Sequence, residues 1–269
     1  MTDMTSLTVP DARLSYDVAG EIGSAPLLLL IPGGAMPGIA FGGLQAALAD
    51  RFTVVRYDSR GLGDSAFDGP PQPITVPGQA DDALALIDAL SPNEPAFVLG
   101  SSGGALTGLD LITRYPDRVR LLVAHEPPLT YLLDEPGGAA ADERIMQIYR
   151  EQGAAAAMQA FMGDTGLDQE QQAEAPPPDP EFMQRLVGNF DVFFAHMWAG
   201  IGAFRADVGT LRSRPVVLGV GESSDQVAER ATRELARLLG QDPVTFVGGH
   251  TGFAEDPQRF AKELAPLLV

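Results

Sequence analysis

Short apolar runs alternate along the chain with stretches in which apolar side chains recur every three or four positions. The short runs read as buried strands and the three-to-four spacing as amphipathic helices. Together they predict a mostly parallel sheet with crossover helices on its faces. Ser6 to Val9 and Arg13 to Ala19 form the expected opening hairpin, turned at Pro10-Asp11. Leu27 to Ile31 is the next strand, stopped by Pro32-Gly33-Gly34, and Phe41, Leu44 and Leu48 then mark one stripe of a helix. Phe52 to Tyr57 is a strand ending in Asp58-Ser59-Arg60-Gly61. A helix is expected from about Gln79, just after Pro77-Gly78, with Ala83, Leu86, Ile87 and Leu90 on one face. Ala96 to Leu99 is a strand that runs straight into Gly100-Ser101-Ser102-Gly103-Gly104. The helix after it carries Leu106, Leu109, Leu111 and Ile112, apolar nearly all round, which argues for burial. Val119 to Ala124 is the sixth strand.

From about Pro127 to Val208 the alternation stops. This stretch holds the proline run Pro176-Pro177-Pro178 and two amphipathic patterns, one with Ile145, Ile148 and Tyr149. The other has Phe182, Leu186, Phe190, Phe193, Met197 and Trp198. An inserted helical cap over residues 127–208 is the expectation, with residues 1–126 and 209–269 forming one α/β core of about eight strands. Alternation resumes with Val216 to Val220, a helix on Val227, Ala231, Leu235 and Leu238, a strand over Val244 to Val247, and a closing helix on Phe260, Leu264 and Leu267.

Composition narrows the classes of function. A formal charge of −18 repels a phosphate backbone and anionic lipid alike, so neither nucleic acid nor membrane is an expected partner. No run approaches the roughly 18 apolar residues of a membrane span. Met1-Thr2-Asp3-Met4-Thr5 lacks the basic and apolar regions of a secretory signal, and the chain has no cysteine for disulfide or thiolate chemistry. A cytoplasmic protein acting on a small molecule, with no metal or organic cofactor, is the default expectation.

Gly100-Ser101-Ser102-Gly103-Gly104 fits G-x-S-x-G with Ser102 central, a strand entering and a helix leaving. A serine on so sharp a turn needs tiny neighbours, and the helix N-terminus beneath it points unsatisfied N–H groups at developing negative charge. Ser101 fits worse, because Leu99 would stand where glycine is needed. Tyr57-Asp58-Ser59-Arg60-Gly61-Leu62-Gly63-Asp64-Ser65 resembles the Y-D-x-R-G-x-G-x-S segment of the α/β-hydrolase superfamily. Arg114-Tyr115-Pro116-Asp117-Arg118-Val119 resembles that family's run into its sixth strand, and the resemblance extends over the whole chain.

The resemblance implies a Ser–His–acid hydrolase with Ser102 as nucleophile. Of the three histidines, His250 lies in the loop between the last strand and the last helix, where the family carries its base. An imidazole there can take the serine proton and return it near neutral pH. His125 reads as structural or pocket-lining and His196 as packing among cap aromatics. The acid departs from the usual pattern. Its expected place after the seventh strand, in Gly219-Val220-Gly221-Glu222-Ser223-Ser224-Asp225, is filled by Ser224, with Glu222 and Asp225 out of register on either side. Some haloalkane dehalogenases carry a glutamate at the end of strand six, and the stretch from Arg118-Val119 to Glu126 resembles theirs in length. Glu126 is therefore the first candidate, with Glu222 and Asp225 as alternatives.

For the oxyanion hole, the resemblance implies the N–H groups of Gly103 and Gly34, although Pro32 stands where the family has histidine. A serine at the elbow favours hydrolysis of an ester, thioester or lactone of a fairly apolar small molecule through an acyl-enzyme. Acyl transfer or lactone formation, ring opening with Glu126 as nucleophile or base, and ligand binding without turnover remain alternatives. Fold alone fixes neither the substrate nor the state of assembly.

Overall fold

A nine-stranded sheet runs through the computed structural model of the chain, which describes residues 5–133, 138–167 and 179–269. Met1 to Met4 and the proline run Pro176–Pro178 lie outside the described residues. The strands are β1 (Thr5–Val9), β2 (Ala12–Ala19), β3 (Leu27–Ile31), β4 (Thr53–Tyr57), β5 (Ala66–Phe67), β6 (Ala96–Ser101), β7 (Val119–His125), β8 (Val216–Gly221) and β9 (Val244–Phe246). They lie in the order β1-β2-β4-β3-β6-β7-β8-β9, with the short β5 paired to β2. β1 to β2 and β2 to β4 are antiparallel, and every pair from β4 to β9 is parallel. The hairpin turns where expected, with Asp11 in the left-handed region at φ 64°, which a short polar side chain tolerates.

Helices cover both faces, so the central strands lose their polar face altogether. All five residues of β3 and all six of β6 are buried, the pattern of parallel strands sandwiched between layers. On one face Leu29, Ile31 and Val98 pack under α2 (Val76–Leu90), α3 (Gly103–Arg114) and the helix Val227–Leu239. On the other, Leu28, Leu30, Phe97 and Val123 pack under α1 (Gly42–Leu48) and the helix Pro257–Leu264. α2 starts three residues earlier than its apolar stripe suggests. Thr75 caps it by accepting the Gly78 N–H at 3.1 Å, and Pro77 sits in the first turn, where its missing N–H has no intrahelical role.

Between β7 and β8 the described residues are mostly helical: α4 (Gly138–Gln152), α5 (Ala154–Thr165), α6 (Pro180–Val192), a π-helical turn (Phe193–Met197), α7 (Trp198–Ala203) and α8 (Val208–Leu211). α5 opens on four alanines, which show no apolar periodicity to read. Ile145, Met158, Phe193, Phe194 and Met197 of this segment bury a third apolar cluster against Ala35, Leu62 and Ile74 of the sheet's loops. No described helix is long and apolar enough to cross a membrane.

The sheet order reverses at β3: the chain moves outward to β4, then returns to place β6 on the other side of β3. The crevice at the carboxyl ends of β3 and β6 is such a switch point, where open α/β sheets place their ligands. The loop after β3 carries Gly33-Gly34, and the turn after β6 carries Ser102.

Candidate active site

Ser102 links β6 to α3 with φ 54° and ψ −123°, a conformation that costs a non-glycine residue about 1–3 kcal/mol and persists only where its surroundings enforce it. Here they do. A Cβ on Gly100 would lie 2.3 Å from the Gly104 carbonyl oxygen, and one on Gly104 would lie 2.1 Å from that of Ile31. The Ser102 N–H donates to the His125 carbonyl at 2.9 Å, and the Ala105 N–H to the Ser102 carbonyl at 2.9 Å. Glycine spacing thus sets the turn, and the turn presents the hydroxyl.

The loop after β3 is pressed against this turn. A Cβ on Gly33 would fall 2.6 Å from the Ser102 Cβ, and the Gly34 nitrogen lies 3.1 Å from where a Gly103 Cβ would be. Gly34 has φ 55°, open to glycine without strain. Gly103 is the first residue of α3, so its N–H has no intrahelical acceptor. Replacing the family's histidine by Pro32 leaves both backbone amides beside the elbow.

Glu126 follows β7 directly. Ser101 and His125 are register partners in β6 and β7, so the serine and the glutamate leave neighbouring strands side by side. Pro127 stops the strand, and Glu126 itself has φ 48°. Its side chain is fully buried. Oε1 accepts the Gly221 N–H at 2.8 Å, Oε2 accepts the Ser224 hydroxyl at 3.1 Å, and Oε2 lies 2.6 Å from His250 Nδ1. Burial pushes its pKa up. The His250 hydrogen bond, the charges of His250 and His125 and the Gly221 N–H outweigh this and hold it at about 2, so the group is a carboxylate at neutral pH.

The other candidates go elsewhere. Glu222 is exposed and forms a two-pronged pair with Arg259 at 3.0 and 2.8 Å. Asp225 is exposed. Ser224, in the family's usual acid position, supports Glu126 instead. His196 turns its ring toward Phe67, 6.3 Å between centroids. His125 is fully buried among Phe246, Phe253 and Phe260. Neither of its ring nitrogens bonds a described group, and burial lowers its pKa to about 4.

The π-helical turn and α7 carry apolar side chains over the elbow. A Phe193 ring carbon lies 3.5 Å from where a Gly34 Cβ would be, and Ile201 Cδ1 lies 3.4 Å from the equivalent point on Gly103. Phe193 packs edge-on against Trp198 and Phe194. Inserted π turns of this kind are frequent at functional sites. Among the described residues no group of three or more His, Cys, Asp or Glu side chains is placed to hold a metal.

Two supporting roles are not assigned by the pattern of the chain: that of Asp58, quoted only as part of the Tyr57–Ser65 motif, and that of Asn189. Asp58 accepts the Gly38 N–H at 2.7 Å and the Asp64 N–H at 2.9 Å, fastening the loop after β3 to the loop after β4. Asn189 of α6 donates from Nδ2 to the Ala35 carbonyl at 2.8 Å and accepts the Gly63 N–H at 2.8 Å. A signal for it exists. Asn189 stands three residues after Leu186 and four before Phe193, a polar side chain on an apolar stripe, where partners are obligatory.

Comparison with known proteins agrees with this architecture. Residues 28–263 match the model of the "Alpha/beta hydrolase family". The chain is 31% identical over 270 residues to the uncharacterized hydrolase YraK of Bacillus subtilis, covering 98% of this chain and 95% of that protein. A hydrolase structure from Pseudomonas aeruginosa superposes with a TM-score of 0.79 at 25% identity, over 99% of this chain and 98% of that one. The enol-lactonase of Burkholderia xenovorans superposes with a TM-score of 0.77 at 23% identity, over 98% and 99% of the two chains, a likeness of fold alone. The extent of the family match and the full-length relative establish that this chain belongs to the alpha/beta hydrolase family.

Proposed function

We propose that the chain is a serine hydrolase that cleaves an ester, thioester or lactone of a fairly apolar small molecule, with Ser102, His250 and Glu126 as its triad. The observation that carries this reading is the 2.6 Å contact between His250 Nδ1 and a buried carboxylate beside a strained, glycine-flanked serine. In this reading Nδ1–H is donated to Glu126, which leaves Nε2 to take the proton of the Ser102 hydroxyl. Oγ attacks the acyl carbon while the N–H groups of Gly34 and Gly103 receive the oxyanion, each such donor contributing on the order of 3 kcal/mol at the transition state. The carbonyl–oxygen or carbonyl–sulfur bond then breaks, His250 protonates the leaving group, and water releases the acyl chain by the reverse sequence.

In this reading residues 127–208, mostly helical where described, act as the cap over a core of residues 1–126 and 209–269. Phe193 and Ile201 above the two donor glycines make its underside apolar, which supports an uncharged acyl group. Ring opening by direct attack of Glu126 finds less support, since both its oxygens are engaged and the side chain is fully buried.

A fluorophosphonate probe tests the proposal. Labelling is expected at Ser102, with Ser102→Ala abolishing both the label and turnover of chromogenic esters. Labelling at another residue, or none on the folded chain, would overturn it. A series of esters of rising acyl length then sizes the space beneath Phe193.

A further inference from the structure

Asn189 belongs to the cap, yet its amide is spent on the core. It is 4% exposed, and a buried amide is destabilising unless its donor and acceptor both find partners. Both ends are used, on two different loops. Nδ2 donates to the carbonyl of Ala35, the residue next to Gly34, and Oδ1 accepts from Gly63 in the loop that Asp58 anchors. The reversed amide would set donor against donor and acceptor against acceptor, so the two partners fix its orientation. Within the loop after β3, the Met36 N–H closes a turn on the Gly33 carbonyl at 3.0 Å, and Asp58 holds Gly38 at the far end. At the end nearest the elbow, the side chain that holds the loop is Asn189.

We propose that Asn189 is a positioning residue: seating the cap places its amide on the loop and fixes the Gly34 N–H where the oxyanion forms. The hole is then complete only while the cap is down. This rests on the reading of Gly34 as an oxyanion donor. Arg185, one turn earlier on α6, is paired with Glu181 of its own helix at 3.1 Å and crosses the same seam to Asp64 at 2.5 Å. It lies 3.9 Å from Asp58, beyond hydrogen-bond distance, and its side-chain hydrogen bonds go to Glu181 and Asp64 rather than to residues 33–38. It separates cap docking in general from support of the hole in particular.

The test compares Asn189→Asp, Asn189→Ser and Arg185→Ala with the unaltered chain. The measurements are kcat and KM on an ester the unaltered chain hydrolyses, thermal midpoint, and Kd for phenylboronic acid, whose boron accepts the serine oxygen to form a tetrahedral adduct. Asn189→Asp keeps the acceptor for Gly63 but sets oxygen against the Ala35 carbonyl. Asn189→Ser is small enough to leave the cap packing in place. Both Asn189 variants are expected to lose about 10- to 100-fold in kcat with KM changed less than about twofold. Boronate affinity should fall in parallel with kcat. Arg185→Ala should change neither. Retention of kcat and boronate affinity by a folded Asn189 variant overturns the inference, as does an equal loss in Arg185→Ala. If the unaltered chain takes no fluorophosphonate label, the serine-hydrolase reading falls and this inference with it; if it labels and the variants are unimpaired, only the inference falls.

Discussion

His125 and His250 lie with ring centroids 6.4 Å apart, 0% and 6% exposed, and face opposite chemical surroundings. His125 ends β7 with its ring in a cage of phenylalanines and neither nitrogen bonded to a described group. His250 comes from a loop, and its Nδ1 meets a carboxylate that already holds two further donors. Burial is common to both, so burial does not make a base. In the proposed triad the difference is Glu126, which can stabilise the imidazolium that proton transfer creates. Without such a partner an imidazole under the same roof is a packing unit, and desolvation keeps it neutral.

Removing Glu126's charge while keeping its shape is the most direct way to break the contrast. Glu126→Gln is expected to lower kcat by at least about 100-fold, toward the roughly 10⁴-fold seen when an amide replaces a triad carboxylate. Glu222→Gln and Asp225→Asn should each stay within about threefold, as expected of exposed groups without a transition-state contact. The opposite ranking, read from kcat/KM on one ester, would move the acid to the loop after β8.

A smaller effect sharpens the point. Ser224 occupies the position where the family usually carries its acid, and its hydroxyl is 3.1 Å from Glu126 Oε2. Placing a carboxylate there in the Glu126→Gln background, as Glu126→Gln/Ser224→Asp, should recover about tenfold of the lost kcat, because the imidazolium again has a charged neighbour. No recovery would mean that the peptide geometry around Gly221 admits an acid from β7 alone.

The contrast also marks how far sequence reasoning reaches. Strands and crossover helices were legible because burial on two faces leaves dense apolar runs such as Leu27–Ile31. Ser102 was legible because a strained turn demands glycines at fixed offsets. Glu126 could be ranked first but not separated from Glu222 and Asp225, since what distinguishes them is a set of hydrogen bonds to Gly221, Ser224 and His250, 95, 98 and 124 residues away. Spacing along a chain carries no record of such contacts. α5 was invisible for a local reason: a run of alanines has helix propensity but no face.

The smallest effect concerns the silent member of the pair and is one of stability. His125 titrates at about 4 in the fold against an ordinary 6.5, with burial the largest cause. As pH falls through 6.5 the unfolded chain takes up a proton that the folded chain refuses, so stability is whole above that value and drains away toward 4. The shift corresponds to as much as about 3 kcal/mol across this window. The charged or titratable groups facing His125 are Glu126 and His250. Glu126, held near 2, loses its own contribution below the ordinary value of 4.5, largely beneath the His125 window. His125→Leu should therefore leave ester turnover within about threefold and flatten the fall in unfolding free energy between pH 6.5 and 4.5 by close to one proton. Denaturant titrations at half-unit pH steps read that slope directly. An unchanged slope would show that the ring is not held neutral by its cage, and a large loss of turnover would show that the second imidazole belongs to the chemistry.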